Sequence, residues 1–243
     1  IGKLVMKIRI VADDGTPGLS SQLVLPLRVL PANDAPTITQ VANQAFPEDS
    51  GVHSYTFDVA DEDLPGQSIA VSVSSSNTGL LQNVGVSRAA GGARTVTLSL
   101  QTIADLVGST TITVSATDGV DTTTMSFTVN VTQINDPPTI VLNSPDPQTT
   151  TVNAPTGAIS FTITDIDSPP CSLVLSSFTT TPTLLPTRTF SPACTAIGNS
   201  ATRTITITPG MFQTGEGLVT LRVTDGGGLF AQWTFSVIVV PPT

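Results

Sequence analysis

Carboxylates supply most of the chemistry this 243-residue chain has to offer, and their placement is uneven. Twelve of the eighteen Asp and Glu residues fall at five kinds of place: Asp13 and Asp14; Asp34 and Asp136; Glu48; Asp61, Glu62, Asp63, Asp165 and Asp167; and Asp118 with Asp225. Each lies at an expected strand end or linker, and equivalent positions recur about one hundred residues apart. Acidic loops that converge suit calcium, which takes roughly six to eight oxygens from carboxylates, Asn side chains and backbone carbonyls. The competing reading is that Asp and Asn favour turns and strand ends for backbone reasons alone. Periodicity by itself leaves the two readings level.

Other chemistries find fewer residues to work with. A Ser/His/Asp triad would have to use His53, the only histidine, which sits beside Tyr55 and Phe57 at a strand start. No Gly-x-Ser-x-Gly turn accompanies it, so His53 reads as a strand-end surface or packing residue. Zinc sites built from Cys and His fail on the same count. The chain has no phosphate loop and no dinucleotide fingerprint. Spacing allows a carboxylate pair for glycoside hydrolysis, but one Trp and one Tyr leave little aromatic surface to grip a sugar. An enzyme is not expected. Cys171 and Cys194, with 22 residues between them, lack a CxxC pattern and a nearby His. A structural disulfide in an oxidising compartment is the favoured reading, worth about 3 kcal/mol by loop entropy; a pair of buried thiols is the alternative.

The elements that must position these residues are strands. Charged residues make up only 11% of the chain, against roughly 25% in soluble domains. Yet the longest apolar runs, such as Val237-Ile238-Val239-Val240, fall far short of the ~20 residues a membrane helix needs. Val, Ile, Leu and Phe instead alternate with Thr and Ser, as in half-buried strands. With a net charge of −9 and only Lys3 and Lys7 as lysines, neither nucleic acid nor an anionic membrane surface is an expected partner. Lysine–asparagine isopeptide crosslinks are impossible beyond Lys7 for the same reason.

A repeat sets the frame. Asn33-Asp34-Ala35-Pro36-Thr37 returns as Asn135-Asp136-Pro137-Pro138-Thr139, 102 residues later, and Pro241-Pro242-Thr243 follows Pro137 by 104. That period is the length of one small β-sandwich. The expected fold is all-β, tandem Greek-key β-sandwiches of cadherin or immunoglobulin-like type in line. Residues 1–32 read as the C-terminal hairpin of a truncated first repeat, 33–136 as a complete repeat and 137–243 as a second. The hairpin strands are expected at 4–11 and 22–29. Later strands are expected at 52–59, 69–74, 95–100, 110–116, 123–131, 158–164, 171–175, 202–208, 218–223 and 231–239. Residues 101–107 are open to one helical turn, and alternation puts Trp233 on the core face with Ala231, Phe235, Val237 and Val239. The absence of an initial Met and of a signal peptide fits a segment of a longer secreted protein.

The run Val11-Ala12-Asp13-Asp14-Gly15-Thr16-Pro17-Gly18, followed by a strand and Asn33-Asp34-Ala35-Pro36, resembles the closing part of a cadherin repeat. Pro47-Glu48-Asp49-Ser50-Gly51, Phe57-Asp58-Val59-Ala60-Asp61-Glu62-Asp63, Val114-Ser115-Ala116-Thr117-Asp118-Gly119 and Ile134-Asn135-Asp136-Pro137-Pro138-Thr139 resemble bacterial cadherin-like or immunoglobulin-like tandem repeats of large surface and secreted proteins. The resemblance implies calcium between successive repeats. It assigns Asn33, Asp34, Asp61, Asp63 and Asp118 to a first junction, and Glu48, Asn135, Asp136, Asp165, Asp167 and Asp225 to a second. Departures from the pattern imply weaker sites: Pro31-Ala32 and Gln133-Ile134 stand where cadherin linkers carry an acid, the Asp-Arg-Glu motif is missing, and the last repeat has no Pro-Glu. Relatives of this kind also include metal-free, rigid linkers.

The function expected from these features is a non-catalytic structural or adhesive segment of a bacterial extracellular protein, a stiff spacer whose Pro-containing linkers restrict bending. The partners it implies are other repeats of the same chain, a cell-surface protein or glycan, or identical subunits. One alternative is a filament subunit with inter-chain strand pairing; another is an accessory module of a secreted enzyme. A binding role for the repeats themselves would require an exposed apolar or aromatic cluster.

Overall fold

Period-two alternation of branched apolar residues with Thr and Ser turns nearly every stretch between turns into a strand. The computed structural model describes residues 5–13, 17, 20–28, 32–63, 68–89 and 94–242. Two compact units emerge, Ile1–Thr132 and Gln133–Thr243. The first opens with an antiparallel hairpin, β1 (Val5–Asp13) and β2 (Ser20–Arg28), in register from Val5↔Arg28 to Asp13↔Ser20. Leu4 and Val29, at the ends of the two expected strands, lie outside the described residues.

The rest of the first unit is a sandwich. Its strands are β3 (Thr37–Ile38), β4 (Gln44–Pro47), β5 (Val52–Ala60), β6 (Ala70–Ser75), β7 (Leu81–Arg88), β8 (Thr95–Thr102), β9 (Gly108–Thr117) and β10 (Thr122–Thr132). One sheet runs β3-β5-β8-β7 and the other β4-β10-β9-β6. This is the A-B-E-D and C-F-G division of an immunoglobulin-type sandwich, with the first strand split so that β4 joins the second sheet parallel to β10. Inward residues of both sheets meet in one core, including Phe57, Leu98, Ile112, Val114 and Phe127.

The second unit repeats the plan. Its strands are β11 (Thr139–Leu142), β12 (Gln148–Thr151), β13 (Ile159–Thr164), β14 (Val174–Thr179), β15 (Thr187–Phe190), β16 (Thr195–Ile197), β17 (Ser200–Thr208), β18 (Gly215–Thr224) and β19 (Phe230–Val240). They form β11-β13-β17-β15, with β16 also on β17, and β12-β19-β18-β14. Phe161, Ile205, Leu221 and Phe235 lie at its core. The all-β, tandem-sandwich expectation holds.

Three local expectations do not. Residues 101–107 form no helical turn: the inward positions Leu100 and Thr102 stay buried, so β8 continues to Thr102, and the chain then turns at Asp105 with a left-handed φ of 58°. The strand expected over 171–175 begins only at Val174. Pro169-Pro170 removes two N–H donors, and residues 170–172 form a short 3-10 turn instead. Trp233 keeps the inward phase of its partner Leu221 but is 39% exposed and outside the core. The cause is topological: β12 pairs only with Val237–Val240, so the Trp233 stretch of β19 borders an open edge. His53 is a packing residue, stacked on Phe46 at 4.0 Å and hydrogen-bonded to Ser50 Oγ at 2.7 Å. Among the described residues no helix is long and apolar enough to cross a membrane.

Candidate cation-binding loops

In the first unit, the residues before β3 fold back onto the loops that follow β5 and β9. The Asn33 amide nitrogen donates to Asp118 Oδ2 at 3.0 Å and to Asp121 Oδ2 at 2.7 Å. The backbone N–H of Asp34 donates to Asp63 Oδ2 at 3.0 Å, and that of Asp63 to Asp61 Oδ1 at 2.8 Å. Asp118 Oδ1 in turn accepts the N–H groups of Val120 and Asp121, closing the loop on itself. Asn33, Asp34, Asp61, Asp63 and Asp118 are thus brought together at one end of one sandwich.

The second unit builds the same arrangement from equivalent residues. Asn135 donates its amide to Asp225 Oδ2 at 2.8 Å, and Asp136 N–H donates to Asp167 Oδ2 at 2.6 Å. Asp165 Oδ1 accepts from the N–H groups of Asp167 and Ser168, at 2.9 and 2.7 Å. Leu229 N–H donates to Asp225 Oδ1 at 2.9 Å. Glu48 belongs to the first unit, where it is buried and its N–H bonds Thr132 O, at the far end of β10 from Asp118 and Asp121.

Two carboxylates are shifted toward the charged form. The N–H groups of Asp121 and Val120 hold the Asp118 carboxyl below the usual aspartate range, with the Asn33 amide assisting. For Asp225, burial pushes upward, but the Asn135 amide and the N–H groups of Leu229, Gly228 and Gly227 outweigh it, and the net shift is downward.

Two members of this network lie outside the candidate ligands read from the sequence. Asp121 joins the first cluster, but its counterpart in the second turn, Asp225-Gly226-Gly227-Gly228, is a glycine, so repeat comparison passes over it. Gln133 donates to Asp167 Oδ1 at 2.6 Å, and its only cue is its place two residues before Asn135. Glycine has a positional role in the same turn. A Cβ at Gly227 would lie 2.7 Å from the Asn135 amide nitrogen, whereas one at Gly226 meets nothing within 4 Å. Neither glycine has a positive φ. Gly227→Ala is therefore expected to push Asn135 off Asp225, lowering the unit's stability by about 1 kcal/mol, while Gly226→Ala stays within about 0.5 kcal/mol of the parent. Paired denaturant melts check this; equal effects from the two changes would refute it.

The donor atoms are of the kind a hard cation takes. Asp61 and Asp165 are buried, and in each the Oδ2 atom is shielded from solvent with no hydrogen-bond partner among the described residues. A buried carboxylate oxygen left unsatisfied is costly, and a cation supplies what it lacks. The two atoms occupy equivalent places in the two units, each beside the neighbouring Asp63 or Asp167. Among the described residues, no three carboxylates of one unit bring their oxygens within 4.8 Å of one another, so each end loop offers acidic oxygens without a closed ligand set. Cys171 and Cys194 form a disulfide, with a Cα–Cα distance of 5.8 Å, which ties the stretch after Asp167 to the start of β16.

The fold defines a class, tandem all-β sandwich domains, whose counterparts among solved structures are tandem cadherin and immunoglobulin-like domains. No family model and no curated protein matches the sequence. Among solved structures, PcdhgB3 EC1-4 is 18% identical at a TM-score of 0.50, covering 93% of this chain and 55% of that one. Human protocadherin-24 EC1-2 is 16% identical at a TM-score of 0.47, covering 86% and 100%. Domains 4-9 of the surface layer protein SbsC are 18% identical at a TM-score of 0.30, covering 93% and 34%. This likeness is one of fold.

Proposed function

We propose that the chain is a non-catalytic spacer segment of an extracellular repeat protein, a stalk whose sandwiches are braced at their end loops by calcium. The observation that carries the reading is the duplication of one constellation: linker Asn and Asp, an Asp-x-Asp loop and a second-loop Asp, each containing a buried carboxylate oxygen without a partner among the described residues. The disulfide supports an oxidising compartment. The mechanism is mechanical. Antiparallel ladders resist extension, Pro-bearing linkers limit bending, and a cation neutralises the loop carboxylates.

The test separates the cation from the sandwich. Calcium added to chelator-treated protein is expected to raise the melting temperature and to lengthen the maximum dimension seen by X-ray scattering. Asp165→Asn retains an oxygen for the Asp167 and Ser168 N–H groups but removes the charge. In chelator it should melt within a few degrees of the parent, and in calcium the second unit should lose its share of the gain. Melting and scattering curves that ignore both calcium and chelator would remove calcium from the proposal. A filament subunit is the second reading; it draws on β1–β2, which among the described residues pairs with no third strand.

A further inference from the structure

The two sandwiches differ on the outward face of the sheet that contains their last strand. Register sets the equivalence, because Thr117 and Thr224 immediately precede Asp118 and Asp225. In the first unit this face is an array of small side chains: Ala70 and Ser74 on β6, Thr111 and Ser115 on β9, and Thr122 on β10. At the same places the second unit has Val174 and Phe178 on β14, Leu218 and Arg222 on β18, and Phe230 on β19. Val174 is 64% exposed, Phe230 47%, and Phe178 and Leu218 44% each. Fold stability does not require these residues, since the first unit builds the same sheet without them. A clustered apolar face on one repeat is instead the mark of a contact surface.

Charge on this face is arranged in two halves. Arg222 lies flat on Phe230, its guanidinium carbon 3.7 Å from the ring centroid. Its Nε is buried without a hydrogen-bond partner, and among the described residues no carboxylate pairs with it. Glu216 points outward from the same strand six residues away and bonds the Ser236 hydroxyl. At ~3.3 Å per residue the two charges stand about 20 Å apart along β18. Asp146 adds a second acid on the Glu216 side, where it accepts Ser236 N–H at 2.9 Å.

We propose that this face binds a second copy of the chain, face to face, with the two β18 strands antiparallel. A two-fold axis across the strands at the level of Val219 sets the Arg222 of each copy against the Glu216 of the other, so both charge pairs form at once. The apolar residues between them close over one another, as an isologous interface requires. A parallel stacking would oppose like charges. The contact depends on the second unit alone and is independent of the cation loops.

Sedimentation equilibrium of the whole chain over a concentration series tests this, once in chelator and once in calcium. The expected result is a monomer–dimer equilibrium in both. Arg222→Glu or Glu216→Arg should each weaken it at least about tenfold, and the double exchange should restore it to within about threefold of the parent. Phe178→Ser, which installs the residue of the first unit, should also dissociate the pair, with an unchanged melting temperature reporting that the fold is intact. A chain that stays monomeric at every concentration overturns the proposal and leaves the face to a foreign partner. A dimer indifferent to these variants, or a double exchange no better than the single changes, overturns it as well.

Discussion

Reduction of the Cys171–Cys194 bridge is expected to lower the stability of the second unit by about 3 kcal/mol while leaving the first unchanged. The magnitude follows from the sequence separation of 23, which sets the loop that the bridge closes in the unfolded chain. The bridge has a local role too. Residue 171 sits in the 3-10 turn that follows Asp165, Asp167 and Ser168, and residue 194 directly precedes β16. Asp165 N–H also reaches Asn199 O, in the turn between β16 and β17, at 3.0 Å. The covalent tie and two hydrogen bonds, the second from the Asn199 amide to Ile166 O, therefore hold the acidic loop against the same hairpin. The first unit has no cysteine, so it is an internal control. Denaturant melts with and without reductant, repeated with Cys171→Ser/Cys194→Ser, should show one transition moving and the other fixed. A bridge whose loss moves neither transition would mean the reduced loop is already ordered in the unfolded chain.

Much of this architecture was legible in the alternation of the chain, and the missed strands are those whose alternation is short or broken, as in β7, where a bulge between Gln82 and Gly85 interrupts the register. Long strands with sustained period-two patterns, such as β9, β10, β18 and β19, declare themselves because nearly every inward residue is apolar. Short strands do not. β3, β4, β11 and β12 have two to four residues each, too few for a period to register, and proline ends β4 and precedes β12. Trp233 shows a different limit: its phase is correct, but its exposure depends on where β12 stops, and that belongs to the topology.

The candidate loops divide the same way. The repeat places the residue types that meet at each end loop, since Asn, Asp-x-Asp and Asp recur in order. It does not say which atom of Asn33 or Asn135 faces the carboxylate. In the folded chain the amide nitrogen does, so the linker asparagines donate to the carboxylates that the resemblance would give to calcium. A cation bound at these loops would have to compete with the amide for Asp118 Oδ2 and Asp225 Oδ2. Asp121 enters the first cluster alone, which makes the two loops unequal in charge despite their matching geometry.

Phe161→Ala should have the largest single effect on stability, about 3–5 kcal/mol, confined to the second unit. Phe161 lies on β13 with no exposed surface, between the paired strands β11 and β17, and meets Phe190 edge to face at 6.2 Å and 73°. Truncation removes the ring from the centre of the core, and the ladders on both sides restrict the collapse that would refill the space. Part of the loss belongs to the aromatic pair, worth about 1 kcal/mol beyond area. Leu98→Ala, at an equally buried place on β8, should cost about 2–5 kcal/mol in the first unit instead. A spacer works as a row of separately stable bodies, so each change should shift its own calorimetric transition by ten degrees or more, on the order expected for a domain of this size, and leave the other in place. If either substitution moved both transitions together, the units would be one cooperative body, and the beads-on-a-line reading of the stalk would fail.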